Sequence, residues 1–260
     1  MDSLQKIIDW KKEEITKIQP ARGVDATLEI GRDYGLHDLE SALQEPGMQV
    51  IAEVKRKSPS EGNISKDFDI VSIATQYELA GAAAISVLTD KKFFGGSIED
   101  LKAVKDAVDI PVLRKDFIID ESQVEEAYLN GADAILLIAD VLSVEKLSEL
   151  HAHCEALGMG ALVEVHDLSN LTKLANIEPE IVGFNARNLK SMQTDIRDFE
   201  SVISKLPRAA RVAESGIKNA DDLSWVASLG YDAALIGTSL LRASSPAGLL
   251  AEMLEEARDR

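Results

Sequence analysis

The sequence predicts an α/β fold: a TIM (β/α)8 barrel with an extra helical segment at its N-terminus. Three observations carry this reading. A glycine recurs just past a helical stretch and just ahead of an apolar run, at Gly81, Gly131, Gly158 and Gly230. Glycine at that point can take positive φ and close the last helical turn. The apolar runs show little polar alternation, as strands covered on both faces do. Eight such runs alternate with helical stretches within about 190 residues, which favours a closed barrel over a doubly wound sheet.

The stretch 3–18 reads as a helix outside the repeat, expected to cover one end of the barrel or its mouth. The whole extension, 1–46, is expected to pack on a single barrel domain that makes up the chain, 1–260. The predicted strands are 48–54, 83–88, 111–115, 133–138, 160–165, 180–185, 210–213 and 233–237. Helical segments of ordinary length are expected between them. Residues 67–80 carry apolar positions at helical spacing. Residues 97–108 open on Ser97 with Asp100 three positions on, a capping pattern. Residues 143–158 open on Ser143, and 219–230 open on Asn219 and end at glycine. No Gly/Ser- or Pro-rich linker divides the chain.

Composition narrows the function. Lys plus Arg number 28 and Asp plus Glu 45, for a net charge of −17. A nucleic-acid coat needs a basic face and is excluded, and so is polybasic attachment to an anionic membrane. The richest apolar run, 132–140, is too short to span a bilayer, and the first residues lack the apolar core of a secretory signal. Cys154 is the single cysteine, so no intrachain disulfide and no Cys-based zinc site can form. That suits a reducing, cytoplasmic setting. Cys154 reads as a packed thiol on a helix. His37, His151, His153 and His166 are scattered, and no metal site and no cofactor are expected. Surface or cap roles are expected for them, with His166 set apart because it follows Glu164 by two residues. If so acidic a chain handles a small anion, its cations must be gathered in one place.

In such a barrel the active groups sit at the C-terminal ends of strands. Those ends are Glu53-Val54-Lys55, Arg114-Lys115-Asp116, Glu164, Asn185-Ala186-Arg187-Asn188, Glu214-Ser215-Gly216 and Gly237-Thr238-Ser239. Charges flush against buried runs are costly unless paired or functional. A constellation of general acids and bases is the stronger reading, and a structural ion-pair ring the competing one. The glycine-bearing ends of the seventh and eighth strands point to a phosphate site, with tight turns as the plainer alternative. Lys55, Arg56 and Lys57 follow the first strand, and at least one is expected in the mouth. Glu53 and Lys55, two apart, share a face of the strand.

These residues resemble the indole-3-glycerol phosphate synthase family. The segments IAEVKRKSPSEG (51–62), SVLTDKKFFGGS (86–97), PVLRKDFIIDESQVEEAYLNGADAILLI (111–138), LVEVHD (162–167), GFNARNL (183–189), VAESGI (212–217) and IGTSLL (236–241) match in order. The resemblance implies a carboxy-lyase of tryptophan biosynthesis. Its reaction closes, decarboxylates and dehydrates 1-(2-carboxyphenylamino)-1-deoxyribulose 5-phosphate to indole-3-glycerol phosphate. It places the general acid on Lys115, a second acid and a base on Lys55 and Glu164 in an unassigned order, and an electrostatic partner on Glu53. Asp116 would orient the loop beside the acid. Asn185 and Arg187 would hold the substrate carboxylate or hydroxyls, and Glu214 the sugar-derived hydroxyls. Ser58, Ser215, Gly216, Gly237 and Thr238 would cradle phosphate. Phe94, Phe117, Leu136 and Leu189 would wall the anthranilate ring, or serve only as core. The family usually reads Asn-Asn-Arg-Asn where this chain has Asn185-Ala186-Arg187-Asn188, and the changed position should point away from the mouth. The expected partner is a phosphorylated small molecule, handled by a monomer without nucleic acid or membrane. Two rivals are an isomerase with a Cys/Asp pair, for which Cys154 is poorly placed, and a Schiff-base aldolase. A catalytically dead scaffold would have no reason to keep Lys55, Lys115, Glu164, Asn185 and Glu214 together.

Overall fold

The computed structural model describes residues 3–58, 62–63, 69–188 and 193–258. Eight parallel strands close into a barrel: β1 (Gln49–Val54), β2 (Ala84–Leu88), β3 (Val112–Lys115), β4 (Ala134–Ile138), β5 (Gly160–Val165), β6 (Ile181–Asn185), β7 (Ala210–Glu214) and β8 (Ala233–Ile236). Each pairs with its neighbours in sequence, and β1 closes the ring against β8 with Gln49 opposite Ala233. The predicted strands agree with these to within a residue at each end. A short hairpin of Lys57–Ser58 and Gly62–Asn63 follows β1.

The strand period of two sorts side chains into two layers. Val50, Ala52, Ile85, Val87, Ile135, Leu137, Val163, Val182 and Ala234 face outward and are buried under the helices. Ile51, Leu113, Leu136, Leu162, Ile181, Val212 and Leu235 face inward and fill the barrel. Both faces are covered, so the strands read as nearly continuous apolar runs. The next inward position after Ile51, Leu113, Leu162 and Val212 is Glu53, Lys115, Glu164 and Glu214. The same register that fills the barrel with aliphatics therefore ends it in charge.

The helical layer includes α4 (Ile70–Leu79), α5 (Lys91–Phe94), α6 (Ile98–Lys105), α7 (Glu121–Leu129), α8 (Val144–Ala156), α9 (Leu171–Leu174), α10 (Asp198–Val202), α11 (Ala220–Leu229), α12 (Thr238–Arg242) and α13 (Pro246–Arg258). Ser97, Ser143 and Asn219 cap α6, α8 and α11 by accepting from the N–H three residues on. The four recurring glycines all take positive φ, between 75° and 97°. Among the described residues after β5 and β6 the expected full-length helices do not form. A 3-10 turn with the four-residue α9, and the five-residue α10 with another 3-10 turn, stand in their place.

The extension before β1 serves both ends of the barrel. Helix α1 (Ser3–Ile15) lies at the mouth, where Leu4 and Ile7 reach the cavity described below, and α2 (Val24–Ile30) follows it. Helix α3 (Leu39–Leu43) plugs the opposite end, with Leu39 and Leu43 joined to the inward-facing layer. Burying two leucines there contributes about 1.5–3 kcal/mol each. An ion cluster that the sequence reading missed locks this floor. Asp133 accepts from the N–H of Val112 at 2.8 Å, the N–H of His37 at 3.0 Å, Lys105 Nζ at 2.7 Å and Arg32 Nη2 at 3.3 Å. His151 is buried on α8 beside Glu155, at 3.2 Å, rather than on the surface as expected.

Candidate active site

A cavity of about 750 Å3 opens at the C-terminal end of the strands. Its floor brings together Glu53 and Lys55 from the end of β1, Lys115 of β3, Glu164 of β5, Asn185 of β6 and Glu214 of β7. Lys55 ion-pairs with Glu53 along one face, as their spacing predicts. Lys115 Nζ lies 3.4 Å from Glu164 Oε2 and 3.7 Å from Glu214 Oε2. Asn185 Nδ2 donates to Glu164 Oε2 at 3.1 Å, and Asn185 Oδ1 accepts the Arg187 N–H at 3.0 Å.

The charge states follow from this geometry. Burial alone would push the Lys115 ammonium towards neutrality, but Glu164, Glu214 and Glu53 outweigh it and hold it protonated well above the usual lysine range. Burial would likewise raise Glu164, but Lys115 and then His166 pull it well below the usual carboxylate range. Glu214 goes the other way: burial, and then the charge of Glu164, push it well above that range. Both its oxygens are buried, and in the protonated form it can donate to the neighbouring Glu164 carboxylate, which helps hold its proton. Glu53 stays ionised against its burial because Lys55 and Lys115 are close.

Ser215, Gly216, Gly237 and Thr238 line one rim. Ser215 and Gly216 both have positive φ, 70° and 93°. For a serine that left-handed backbone costs roughly 1–2 kcal/mol, a strain typical of functional turns. Gly237 is required for space: a Cβ there would run into the Glu53 carboxylate. Gly237→Ala is therefore expected to leave the barrel folded, at a cost of about 1–3 kcal/mol, while displacing Glu53 and cutting kcat/KM at least about tenfold. Thermal melting and steady-state kinetics check both halves. Phe94, Phe117 and Leu136 form an apolar wall, the two rings 6.2 Å apart and tilted by 37°. Leu4 and Ile7 complete it, a contribution visible in the sequence only as helical spacing on α1.

Two expected residues fall outside the description, in whole or in side chain. Leu189 lies outside the described residues. Ser58 falls in the hairpin after β1, and its side chain lies outside the description too. Of the three consecutive cations only Lys55 lines the cavity. Arg56 pairs with Asp100 of α6, Nη2 to Oδ1 at 2.7 Å, and Lys57 Nζ donates to the Lys92 carbonyl at 2.6 Å. Arg187 is at the cavity wall as expected, while Lys218 and Arg242, not foreseen, add positive charge beside the glycine rim. Ala186 points into the outer layer, away from the mouth. Arg114 also points outward, to the Gln123 carbonyl and Glu126 of α7. Cys154 is sealed in α8 with its thiol donating to the carbonyls of Met159 and Gly160, far from the acid–base role an isomerase would need. His166 does reach the site, through Glu164.

Comparison with known proteins points to one family. A family model described as indole-3-glycerol phosphate synthase matches residues 4–253. A protein of that name from Desulfotalea psychrophila is 43% identical over 256 residues, covering 97% of this chain and 98% of its own. One from Bacillus licheniformis is 44% identical over 248 residues, covering 93% and 94%. Among solved structures, 3-hexulose-6-phosphate synthase from Salmonella typhimurium superposes with a TM-score of 0.66 at 16% identity, over 82% of this chain and 99% of its own, a likeness of fold alone. With the motifs in order, the barrel closed and the relatives matched over more than nine-tenths of the chain, the chain belongs to the indole-3-glycerol phosphate synthase family.

Proposed function

We propose that this chain converts 1-(2-carboxyphenylamino)-1-deoxyribulose 5-phosphate into indole-3-glycerol phosphate, CO2 and water, with Lys115 as the first general acid. One observation carries the reading. The Lys115 ammonium stands between Glu164 and Glu214 at the centre of a cavity with an apolar wall on one side and a glycine rim on the other.

In ring closure the carboxylate-bearing carbon of the arene attacks the ribulose carbonyl carbon, and the new C–C bond leaves negative charge on oxygen. Lys115 delivers a proton there. Although its neighbours make it a weak acid, an alkoxide is a far stronger base, so the transfer runs downhill. Loss of CO2 returns its bond pair to the ring and restores aromaticity. Dehydration then needs a proton on the departing hydroxyl and removal of one from the methylene beside the nitrogen. Lys55, a cation beside Glu53, supplies the first, and Glu164, kept ionised, accepts the second. Glu214 binds a sugar-derived hydroxyl. The Arg187 guanidinium offers the planar fork that a carboxylate fits. The turns after β7 and β8 offer backbone N–H groups to phosphate, with Lys218 and Arg242 alongside. Phe94, Phe117, Leu136 and Ile7 exclude water from the ring.

All these groups come from one chain, so a monomer suffices. The single buried thiol and the small anionic substrate fit a cytoplasmic setting. Among the described residues no helix is long and apolar enough to cross a membrane. Indole fluorescence should appear and saturate when the protein is mixed with this substrate, and inorganic phosphate or sulfate should compete. Absence of product overturns the reading; product without anion competition overturns the phosphate rim.

A further inference from the structure

His166 touches the site from the end of β5 without a part in the chemistry above. Its ring is buried, and each nitrogen has one polar neighbour among the described residues. Nε2 lies 2.7 Å from Glu164 Oε1, and Nδ1 lies 2.8 Å from the carbonyl oxygen of Arg187 at the end of β6. A carbonyl oxygen can only accept, so Nδ1 carries a hydrogen. The other carboxylate oxygen, Glu164 Oε2, faces two donors, Lys115 Nζ and Asn185 Nδ2. The Lys115 ammonium beside it keeps Glu164 ionised, so the shared proton sits on the ring, Oε1 accepts as well, and Nε2 donates to it. With both ring nitrogens protonated, the ring is an imidazolium.

We propose that His166 is a positioning residue for Glu164: its doubly protonated ring clamps Oε1 to the Arg187 backbone and leaves Oε2 as the oxygen that exchanges protons at the cavity floor. The inference rests on the role of Glu164 proposed above. The clamp fixes the carboxylate plane and ties β5 to the loop that carries Arg187, so the base and the expected carboxylate-binding residue keep one spacing.

The surrounding charges favour the cation. Asp140, at the end of β4, accepts the His166 N–H at 2.9 Å. Asp167 follows in the chain, and Asp198 of α10 lines the adjoining cavity. Lys115 from β3 and Glu214 from β7 lie beyond Glu164, and the Arg187 guanidinium borders the same main cavity. Burial would lower the imidazole, but Glu164 outweighs it and the ring is held above the usual histidine range. A raised value means the clamp is complete at acidic and neutral pH. It opens as pH rises through the native-state value, when Nε2 turns a lone pair on the carboxylate.

Nitrogen-15 NMR of the imidazole in the unmodified protein tests this without any turnover. Expected at pH 7 are two protonated ring nitrogens for His166, and in Glu164→Gln a titration that falls back towards the ordinary histidine value. One protonated nitrogen at pH 7, or a titration unmoved in Glu164→Gln, overturns the clamp even if the enzyme is active. In kinetics, His166→Gln keeps an amide donor but cannot titrate. It should lower kcat about 10–100-fold, as loss of a partner that orients a functional group does, leave KM within about threefold, and move the alkaline limb of the kcat profile upward to that of the lysine acids. An unchanged limb in that variant also overturns the proposal.

Discussion

Replacing Lys115 by alanine is expected to cut kcat by about 10²–10⁴-fold while substrate binding survives within a few-fold. Binding should survive because the groups proposed to hold the substrate are elsewhere: the turns after β7 and β8, Arg187, and the wall of Phe94 and Phe117. Turnover should not, because the group proposed to protonate the oxygen during ring closure is gone. Lys55, paired with Glu53, is assigned to the later departure of that oxygen, and Asn185 is bound to Glu164. The variant also changes the carboxylates. Lys115 is the largest influence holding Glu164 ionised against burial, so without it Glu164 moves upward. The sign for residual activity follows. In the parent enzyme Glu164 stays ionised until pH falls well below the usual carboxylate range, so acid conditions spare the base. In Lys115→Ala the acid limb should shift to higher pH. Rapid-quench single turnovers and equilibrium fluorescence titration separate the two halves. Near-normal turnover would remove Lys115 from the chemistry, and lost binding with an unmoved acid limb would make it a binding residue.

The readable part of this site is the part that repeats with the strand. Glu53, Lys115, Glu164, Asn185 and Glu214 occupy the last inward positions of five strands, where a charged or amide residue breaks an apolar run. That break is a local signal with a period of two, and it survives without a structure. The recurring glycines were legible for the same reason, since each must occupy a left-handed turn. What stayed hidden depends on contacts between distant segments. Nothing local distinguishes Arg56 and Lys57, which are spent on Asp100 and the Lys92 carbonyl, from Lys55, which faces the cavity. Lys218 and Arg242 reach the rim only because β7 and β8 are neighbours in the closed ring. The shortened helices after β5 and β6 also escaped notice, because a barrel needs only a covered outer face there, and Phe184 and Phe199, packed edge to face, cover it with side-chain bulk.

Helix α1 was expected to cover an end of the barrel or its mouth, but the ion cluster that it buries there was not legible. Lys11 is fully buried there, with Nζ 3.1 Å from Asp90 and 2.8 Å from Asp116, both buried as well, and 2.5 Å from Glu14. Burial would push this ammonium down, but Asp116 and Asp90 outweigh it and keep it charged. The two aspartates are themselves anchors. Asp116 follows Lys115 directly and accepts from Thr89 Oγ1 and the Phe117 N–H, and Asp90 caps α5, which ends at Phe94. Lys11→Met keeps the length of the side chain and removes its charge, leaving two buried carboxylates without their shared cation. Breaking a buried pair in this way costs about 3–5 kcal/mol. For a chain of this size that is a fall in melting temperature of roughly 6–20 °C at about 2–4 °C per kcal/mol. The pH dependence has a definite sign. Asp116 is held below its ordinary value, so its contribution is present above the unfolded carboxylate range and fades as pH falls through the native one. The gap between parent and variant should therefore be widest near neutrality and close on acidification. Activity should fall too, by about 10–100-fold, because the segment carrying Lys115 and the helix carrying Phe94 lose their common tether, and small displacements of reacting groups are that costly. Melting curves from pH 4 to pH 8 with kinetics at neutral pH decide it. A variant as stable and as active as its parent would make α1 a bystander, whereas a stability gap that ignores pH would place the loss in packing rather than in the ion pairs.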